Sequence, residues 1–404
     1  MTKVEKFILE NWENTIRTCK EDEGTLLALP KPFTIPTMRD KFQEMYYWDT
    51  YFANVGLILS GLLEQAKNNA ENIAYMIEKY GFMANGNRTY YLTRSQPPFF
   101  SLMVRDIYAQ TGDKEWLEKM YFTTCKEHDF WENNRQTPCG LNRYHGITHA
   151  GEFHKKAKEF SERIHVEYPE SEEDCKKLAE INVTFCESGW DCNSRCGMRP
   201  HEFAWIDLNS LLYGMEENLA FFADELSIKS NWKQIAEERK VLINKLCWNE
   251  ELGIFCDYDF VNNKISDFVS CAAFYPLFTG LATPEQAERT VMMLSRLEFD
   301  FGVAGCEKRD DLLDFQWDYP HGWACLHYIV IYGLNRYGYN KAAKRIAAKY
   351  CDLVERNFEA TGNIWEKYNV VEGKVSETKE GKHKIAALMM GWSAGIYLYG
   401  LTQK

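Results

Sequence analysis

The sequence lacks any dense cluster of basic side chains. Its 404 residues include 47 Lys and Arg against 59 Asp and Glu, which gives a formal net charge of −12. Proteins that track the phosphates of nucleic acid carry Lys and Arg in a stripe or a patch. The sequence therefore predicts that nucleic acid is not a partner.

Long apolar runs are absent as well. No segment approaches the roughly 20 consecutive apolar residues that a membrane helix needs. Residues 1–10, MTKVEKFILE, place acids where a secretory signal peptide requires an apolar stretch. We expect a soluble, non-secreted protein that does not bind membranes and that is located in the cytoplasm.

Paired cysteine motifs are the third absence. The thirteen cysteines are an odd number, are spread through the chain and form no CxxC pair. This usage favours reduced thiols in the cytoplasm over a disulfide framework. Cys186, Cys192 and Cys196 lie close together in the sequence, but their spacing matches no zinc template. We predict no metal ion and no organic cofactor.

Aromatic residues, by contrast, are abundant and clustered. Trp, Tyr and Phe make up 15% of the chain, and residues 316–323, QWDYPHGW, combine four aromatic or imidazole rings with a carboxylate and an amide. Sugar rings stack their C–H faces on aromatic rings, and their hydroxyls need fixed donors and acceptors. The segment indicates a carbohydrate-binding protein, and a buried aromatic turn is the alternative interpretation.

Helical periodicity dominates the chain, and strand-like alternation is scarce. Many predicted helices end at a glycine-containing turn, as successive helical hairpins do. About ten to twelve helices in hairpins predict an all-α fold, an (α/α)6 toroid in which one ring of helices surrounds another. The helical segments are 48–63, 70–80, 100–111, 116–132, 208–223, 232–246, 284–297, 323–337, 341–358 and 385–401.

No linker rich in Pro, Ser or Gly divides the chain, so we predict one domain over residues 1–404. Residues 152–180 differ in composition, because most positions there are charged. This insertion is predicted to form a solvated helix or a lid, with its charges at the surface.

Five segments between helices mix Trp or Tyr with acids, amides or Arg, which is unlike the composition of ordinary turns. In a barrel, such segments would meet at one mouth and form a cleft there. The segments are residues 41–51, 85–98, 187–195, 316–323 and 364–369.

The same segments resemble the trehalases of glycoside hydrolase family 37. Residues 44–51, EMYYWDTY, and 316–323 are similar to the two signature motifs of that family, and RSQPP at 94–98, ESGWDCNSR at 187–195, DLN at 207–209 and WEKY at 365–368 match in order. The resemblance implies an (α/α)6 barrel that hydrolyses a small, neutral or weakly anionic α-glucoside with inversion. The implied first-choice substrate is α,α-trehalose.

The resemblance also implies that Asp191 is the general acid and Glu366 the general base. An inverting glycosidase needs a protonated carboxyl at the glycosidic oxygen and an ionised carboxyl that holds water on the opposite face, roughly 6.5–9.5 Å away. Lys367 would place a positive charge beside Glu366 if its side chain turned inward. A helix cap or a salt bridge to Arg195 is the alternative role for Asp191. The candidate substrate-binding residues are Lys41, Phe42, Tyr46, Trp48, Asp49, Asn85, Arg94, Gln96, Trp190, Trp317, Asp318 and Trp323.

Three positions depart from the family pattern. Lys41 stands where an arginine is usual, and HAGE at 149–152 replaces an expected Arg-Pro-Glu-Ser segment. EGKHKI at 380–385 replaces a glycine-rich lid that ends in Glu-Tyr. Because these changes affect the second sugar subsite, glucosylglycerate, mannosylglycerate or another small α-glucoside is the alternative substrate. A carboxylate on it would then meet Lys382, His383 or Lys384.

Two other classes of function stay open from the sequence. A catalytically silent sugar-binding protein would explain the departures, although Asp191 and Glu366 are both retained. A sugar epimerase would need histidines for proton transfer. His149, His201 and His321 would then have to converge in the cleft.

Overall fold

The computed structural model describes residues 1–149, 151–377 and 388–403. Within these ranges the α-helices are α1 Lys3–Asn11, α2 Tyr47–Leu59, α3 Leu63–Tyr80, α4 Phe100–Thr111, α5 Lys114–Arg135, α6 Phe153–Ile164, α7 Glu172–Glu187, α8 Ile206–Leu226, α9 Trp232–Cys247, α10 Tyr275–Thr279, α11 Pro284–Met292, α12 Leu294–Leu297, α13 Ala324–Arg336, α14 Asn340–Thr361 and α15 Gly391–Leu401. Short 3-10 helices lie at Trp12–Thr15, Thr89–Tyr91, Pro200–Glu202 and Cys271–Phe274.

The strands of the described residues are two or three residues long and pair in antiparallel fashion. They are β1 Ile16–Arg17, β2 Phe33–Thr34, β3 Phe203–Ala204, β4 Trp248–Asn249, β5 Ile254–Phe255, β6 Tyr258–Asp259, β7 Lys264–Ile265, β8 Glu298–Phe299, β9 Gly302–Val303, β10 His321–Trp323, β11 Lys367–Asn369 and β12 Lys374–Val375. Most of them close hairpins, and the β10–β11–β12 sheet joins the segments before α13 and after α14.

Inner and outer helices alternate along the chain. The helices α2, α4, α8, α10, α13 and α15 form an inner ring, in which each contacts the next and α15 closes the ring against α2. Between them in sequence come the outer helices α1, α3, α5, α9, α11 and α14. The predicted (α/α)6 toroid is therefore confirmed.

Composition separates the two rings. The inner helix α15 carries no charged residue in its sequence GWSAGIYLYGL, and nearly all of its side chains are buried. The outer helices α3 and α14 are amphipathic, with a buried apolar face and many charged residues on the other. A helix that is apolar all round must be enclosed, whereas an amphipathic one covers a core from outside.

Ring closure between α2 and α15 depends on two glycines. A Cβ atom on Gly56 would lie 2.5 Å from the Cα of Gly395, and one on Gly395 would lie 2.3 Å from the carbonyl oxygen of Phe52. Both distances are far below a normal contact, so these helices can approach this closely only because neither position has a side chain. The two ends of the chain are thereby packed together.

The charged insertion forms the helical pair α6 and α7, which pack on each other. Their small shared core consists of Ala157, Cys175 and Ala179. On the exposed side, ion pairs between residues four apart, such as Lys176 with Glu172, lie at the surface. Such pairs contribute little to stability.

The structure corrects several predicted helix bounds. The predicted helix 48–63 ends at Leu59, in α2. Helix α3 begins at Leu63 and not at residue 70. Asn69 and Asn72 lie on its buried face and bond the 31–34 segment. Because these buried residues are polar, the apolar pattern that predicts a helix is interrupted there. The predicted helix 284–297 is interrupted at Met293. Helix α15 begins at Gly391, and residues 385–387 of the predicted 385–401 helix lie outside the described residues.

Candidate active site

The candidate site lies where the inner helices begin. Because the chain returns through an outer helix between successive inner ones, the segments that precede the inner helices share one end of the ring. Side-chain bonds join them: Gln96 Oε1 accepts from the Trp48 amide at 3.2 Å, and Glu187 Oε1 accepts from the Ser95 amide at 2.9 Å. The five aromatic and polar segments therefore meet, as the sequence predicted for a barrel.

Asp191 lies in a sharply turned loop that follows α7. Its own φ is +41°, a left-handed conformation that costs about 1–3 kcal/mol in a residue other than glycine. Two residues earlier, Gly189 has a φ of +72°, and a Cβ atom there would lie 2.8 Å from the Trp48 indole. The loop can therefore pack against α2 only with glycine at 189, and this packing directs Asp191 to the start of the inner helices.

The Asp191 carboxyl group is 38% exposed and accepts two hydrogen bonds. The Arg163 guanidinium donates to its Oδ2 at 3.2 Å, and the side-chain amide of Gln316 donates to the same oxygen at 3.2 Å. The alternative of a salt bridge to Arg195 is wrong, because the Arg195 guanidinium is directed elsewhere.

Two buried ion-pair groups support this loop. The Arg195 guanidinium binds Asp257 at 2.7 and 3.0 Å and Asp207 at 2.9 Å. Glu187 is fully buried and binds Arg135 through two bonds of 2.9 and 2.7 Å. Burial opposes ionisation of Glu187, but the Arg135 charge and the amide donors outweigh it, so its pKa is lowered. These ion pairs anchor Glu187 and Arg195, which lie on either side of Asp191 in the loop segment.

Glu366 is placed by the sheet between β10 and β11. It directly precedes β11, where Lys367 pairs with Trp323 of β10. The Lys367 ammonium lies 3.6 Å from Oε2 of Glu366 and 4.7 Å from the centre of the Trp323 ring. It also donates to Oε1 of Gln316 at 2.7 Å. Lys367 thus turns inward, as the sequence interpretation required.

Gln316 connects the two proposed catalytic carboxyl groups. Its amide nitrogen donates to Asp191, and its amide oxygen accepts from Lys367, which in turn contacts Glu366. The two carboxyl groups are therefore joined through one amide and one ammonium group. They belong to one site although 175 residues separate them in the sequence.

Asp49 adds a third carboxyl group, in the first turn of α2. Burial is the main cause that raises its pKa to about 8, and the negative charges of Glu366 and Asp191 raise it further. Both charges act on the Asp49 carboxyl group, so Asp49 lies near Glu366 and Asp191. The structure thus brings Asp49 to the proposed catalytic pair.

Four indoles of the site segments pack on one another. Trp317 stacks on Trp323 with ring centres 3.9 Å apart, and it lies 5.3 Å from Trp190 and 5.6 Å from Trp48. Each indole is at most 2% exposed. The ring N–H groups of Trp190 and Trp317 find no hydrogen-bond partner among the residues that the structure describes. Their predicted contact with sugar stays a prediction.

Asp318 is placed differently from Asp49. It is 1% exposed, and its carboxylate accepts from the amide and hydroxyl of Ser194, at 2.8 and 2.6 Å, and from the Phe315 amide at 3.0 Å. Burial raises its pKa to about 6 despite these bonds. Asp318 therefore ties the Asp191 loop to the 315–318 segment, and its predicted contact with a sugar hydroxyl stays a prediction.

The candidates from the second segment surround the start of α2. The carbonyl of Asn85 accepts from the Tyr47 amide at 3.1 Å, and its amide donates to the Arg94 carbonyl at 2.9 Å. Arg94 is 6% exposed, and its guanidinium lies 5.0 Å from the ring centre of Tyr91. Gln96 bonds the Trp48 amide at the start of α2, and Arg94 lines a small cavity together with residues of α6 and α7.

Three candidates from the first segment, Lys41, Phe42 and Tyr46, are exposed or half-buried. Lys41 is exposed, and Phe42 has a φ of +57° and packs edge-on against Tyr46 at 5.8 Å. The hydroxyl of Tyr46 donates to Glu44 at 2.7 Å. Glu44 is also paired with Arg88, so it supports the segment from within.

The histidines of the epimerase hypothesis have separate surroundings. His149 is exposed, whereas His201 lies 3.9 Å from Glu202. His321 is buried and contacts the Ser376 hydroxyl at 2.8 Å, and burial lowers its pKa to about 4. In the part of the chain that the structure describes, these three histidines have different neighbours and do not form a proton-transfer pair.

Sequence reasoning did not assign site roles to Arg163 or Gln316. Gln316 begins the aromatic segment, so its position was an available signal. Arg163 lies in the charged insertion, whose charges were predicted to be surface charges, and nothing in its neighbours distinguishes it. Residues 382–384, the proposed contacts of an anionic substrate, lie outside the described residues.

An (α/α)6 barrel that gathers separate carboxyl groups where its inner helices begin has the architecture of a glycoside hydrolase. A family model described as Trehalase matches residues 3–404. The chain belongs to the trehalase family. The predicted family and the predicted class of enzyme are confirmed.

Relatives and solved structures agree with this assignment. The chain is 32% identical over 398 residues to a periplasmic trehalase of Xanthomonas oryzae pv. oryzae, covering 93% of this chain and 68% of the relative. It is 32% identical over 414 residues to that of Xanthomonas campestris pv. campestris, covering 96% and 71%. The neutral trehalase from Saccharomyces cerevisiae superposes with a TM-score of 0.80 at 27% identity, covering 100% of this chain and 80% of that chain.

A more distant structure shows the same fold. The GH63 mannosylglycerate hydrolase from Thermus thermophilus, solved with glucose, superposes with a TM-score of 0.70 at 16% identity, covering 98% of this chain and 99% of that one. At this identity the likeness is one of fold alone.

The comparisons contradict the predicted cytoplasmic location, because three curated relatives, each 32% identical to this chain, are periplasmic trehalases. Ten of the thirteen cysteines are buried. A buried thiol is inert in either compartment, so cysteine usage was not informative about location. In the described residues, no helix has the length and apolar character needed to cross a membrane.

Proposed function

We propose that the protein hydrolyses α,α-trehalose to two molecules of glucose with inversion at the attacked carbon. The observation that carries this proposal is the connection of Asp191 to Glu366 through Gln316 and Lys367. An inverting enzyme needs room for a water between substrate and base, so its carboxyl groups are farther apart than in direct contact. The names of the relatives support trehalose as the substrate.

In the proposed mechanism the two carboxyl groups have opposite tasks. Asp191 donates a proton to the glycosidic oxygen as the bond to the attacked carbon breaks. Glu366 accepts a proton from a water that attacks this carbon from the opposite face. The bond from Gln316 orients the Asp191 carboxyl, and Asp49 bonds sugar hydroxyls. We further propose that residues 1–404 form one catalytic domain.

The stereochemistry of the products tests the mechanism. Inversion converts the attacked glucose to the β-anomer, whereas the leaving glucose keeps the α-configuration. Proton NMR of the first products from trehalose should therefore show both anomers in equal amounts before mutarotation. Early products that are entirely α-glucose would contradict inversion, and a lack of hydrolysis would contradict the proposed function.

Substitution of the two carboxyl groups tests their assignment. Asp191→Asn and Glu366→Gln should each lower kcat by at least a factor of about 100, because general acid or base catalysis contributes about 10²–10⁴-fold. The exposed Asp300, replaced by Asn, is the control for loss of one acid. Circular dichroism of each variant should match the wild type. Near-normal turnover in either variant would remove that residue from the mechanism.

A further inference from the structure

A small cavity of about 160 Å³ lies between the helical insertion and the segment that precedes α4. Helix α6 contributes three charged side chains to its wall, α7 contributes Asn182 and Cys186, and the 92–98 segment contributes Arg94. The charged residues that line this cavity, called here the insertion pocket, are Arg94, Lys156, Glu159 and Arg163. Three of the four are cations, in a chain whose net charge is −12.

Arg94 is the buried cation of the insertion pocket. It is 6% exposed, and its Nε has no hydrogen-bond partner. Within residues 1–149, 151–377 and 388–403 it forms no ion pair, and its guanidinium donates only to the Thr93 hydroxyl, at 3.4 Å. Among the described residues, the Tyr91 ring at 5.0 Å and the Thr93 hydroxyl compensate only part of the hydration that this guanidinium loses on burial. The Arg94 guanidinium can therefore donate further hydrogen bonds to an anion.

Lys156 and Arg163 place two more positive charges on the pocket wall. Lys156 is 18% exposed in its side chain and pairs with Glu159 at 3.1 Å, while Glu159 itself is 46% exposed. Arg163 contacts Asp191. The acid that compensates Lys156 is thus about half exposed to solvent. Charge-assisted hydrogen bonds to a carboxylate or phosphate are the interactions that such side chains favour.

The position of Arg163 connects the pocket to catalysis. One guanidinium lines the pocket and donates to Oδ2 of Asp191, so the pocket adjoins the proposed general acid. In the mechanism above, the acid faces the leaving group and not the attacked glucose. A ligand in the insertion pocket would therefore belong to the aglycone.

We propose that the insertion pocket binds the anionic group, a carboxylate or a phosphate, of an α-glucoside with a charged aglycone, and that such compounds are substrates of the enzyme. This inference rests on the proposed hydrolase function. Arg94 and Lys156 bind the anion, and Arg163 links its binding to the orientation of Asp191. The helical insertion then determines specificity.

The test compares kcat/KM for neutral trehalose with kcat/KM for glucosylglycerate, which carries a carboxylate, and for trehalose 6-phosphate. Wild-type enzyme should hydrolyse at least one anionic substrate. Lys156→Gln should lower the ratio of anionic to neutral kcat/KM by about tenfold or more, because one charged hydrogen bond is lost. The matched control is Lys158→Gln on the same helix, which removes an exposed charge that does not line the pocket and should leave the ratio unchanged.

The two anionic substrates distinguish a carboxylate site from a phosphate site. Hydrolysis of trehalose with no activity on either anionic substrate would overturn the inference and leave the proposed function intact, as would a ratio that Lys156→Gln and Lys158→Gln change equally. If no α-glucoside is hydrolysed, the proposed function fails. Calorimetric titration with D-glycerate and inorganic phosphate then decides the pocket: binding lost only in Lys156→Gln supports an anion site, and no binding refutes it.

Discussion

Replacing Asp49 with Asn removes one of three carboxyl groups that share the candidate site. The pKa of Asp49 is raised from 3.8 to about 8, first by burial and then by the charges of Glu366 and Asp191. Between these two values the folded protein holds a proton that the unfolded chain has released. The free energy of unfolding must therefore fall as pH rises, and Asn, which is neutral in both states, abolishes this contribution.

The size of the effect follows from proton linkage. Each pH unit between the two pKa values lowers the free energy of unfolding of the wild type by about 1.4 kcal/mol. From pH 5 to pH 8 the full contribution is about 4 kcal/mol. Solvent in the cleft and coupled titration with the neighbouring carboxyl groups reduce this contribution. We therefore expect the free energy of unfolding of Asp49→Asn to increase by about 2–3 kcal/mol relative to that of the wild type from pH 5 to pH 8.

Urea unfolding followed by tryptophan fluorescence at pH 5, 6, 7 and 8 measures this difference. The control is Asp300→Asn, which removes an exposed acid. The unfolding free energies of Asp49→Asn and wild type should diverge with increasing pH, while the control should run parallel to the wild type. A difference between Asp49→Asn and wild type that stays constant from pH 5 to pH 8 would refute the assignment of a protonated Asp49.

Three further substitutions test the support of the site. Gln316→Leu should lower kcat/KM for trehalose by about tenfold, since it removes the hydrogen bond that orients the proposed acid; an unchanged value would show that the bond does not orient it. Glu187→Gln should lower the unfolding free energy by about 3–5 kcal/mol at pH 7, because Arg135 loses its buried counter-charge. Since the Glu187 pKa is lowered, this deficit should narrow as pH falls below about 4.5, and a pH-independent deficit would contradict the reasoning. Gly189→Ala should lower the unfolding midpoint and activity together, because its Cβ meets the Trp48 indole; wild-type activity would show that the loop adjusts.

Predictions from the sequence were accurate where the signal is local. Apolar stripes and terminal glycines located most helices. The signal failed where a buried position is polar, as at Asn69, whose amide bonds Thr34 inside the protein. The periodicity of apolar residues cannot identify a buried polar position, because it shows which residues are apolar and not which residues are buried.

The candidate site was likewise only partly predictable from the sequence. The segments around Asp191 and Glu366 are recognisable from residue types alone, and with them the trehalase family. Arg163 is not, because it lies 28 residues from Asp191 in a segment where most positions are charged. Folding alone selects which of these charges reaches the acid.

What the sequence determined by itself was the ring of helices, the family and the acids available for chemistry, since helix period, turn residues and motifs act over a few positions. The tertiary structure decided which side chains meet. Gln316 bonds a carboxylate 125 residues away and an ammonium 51 residues away. Such contacts exist only after the ring closes through the glycines of α2 and α15, because closure brings distant segments to the same end of the barrel.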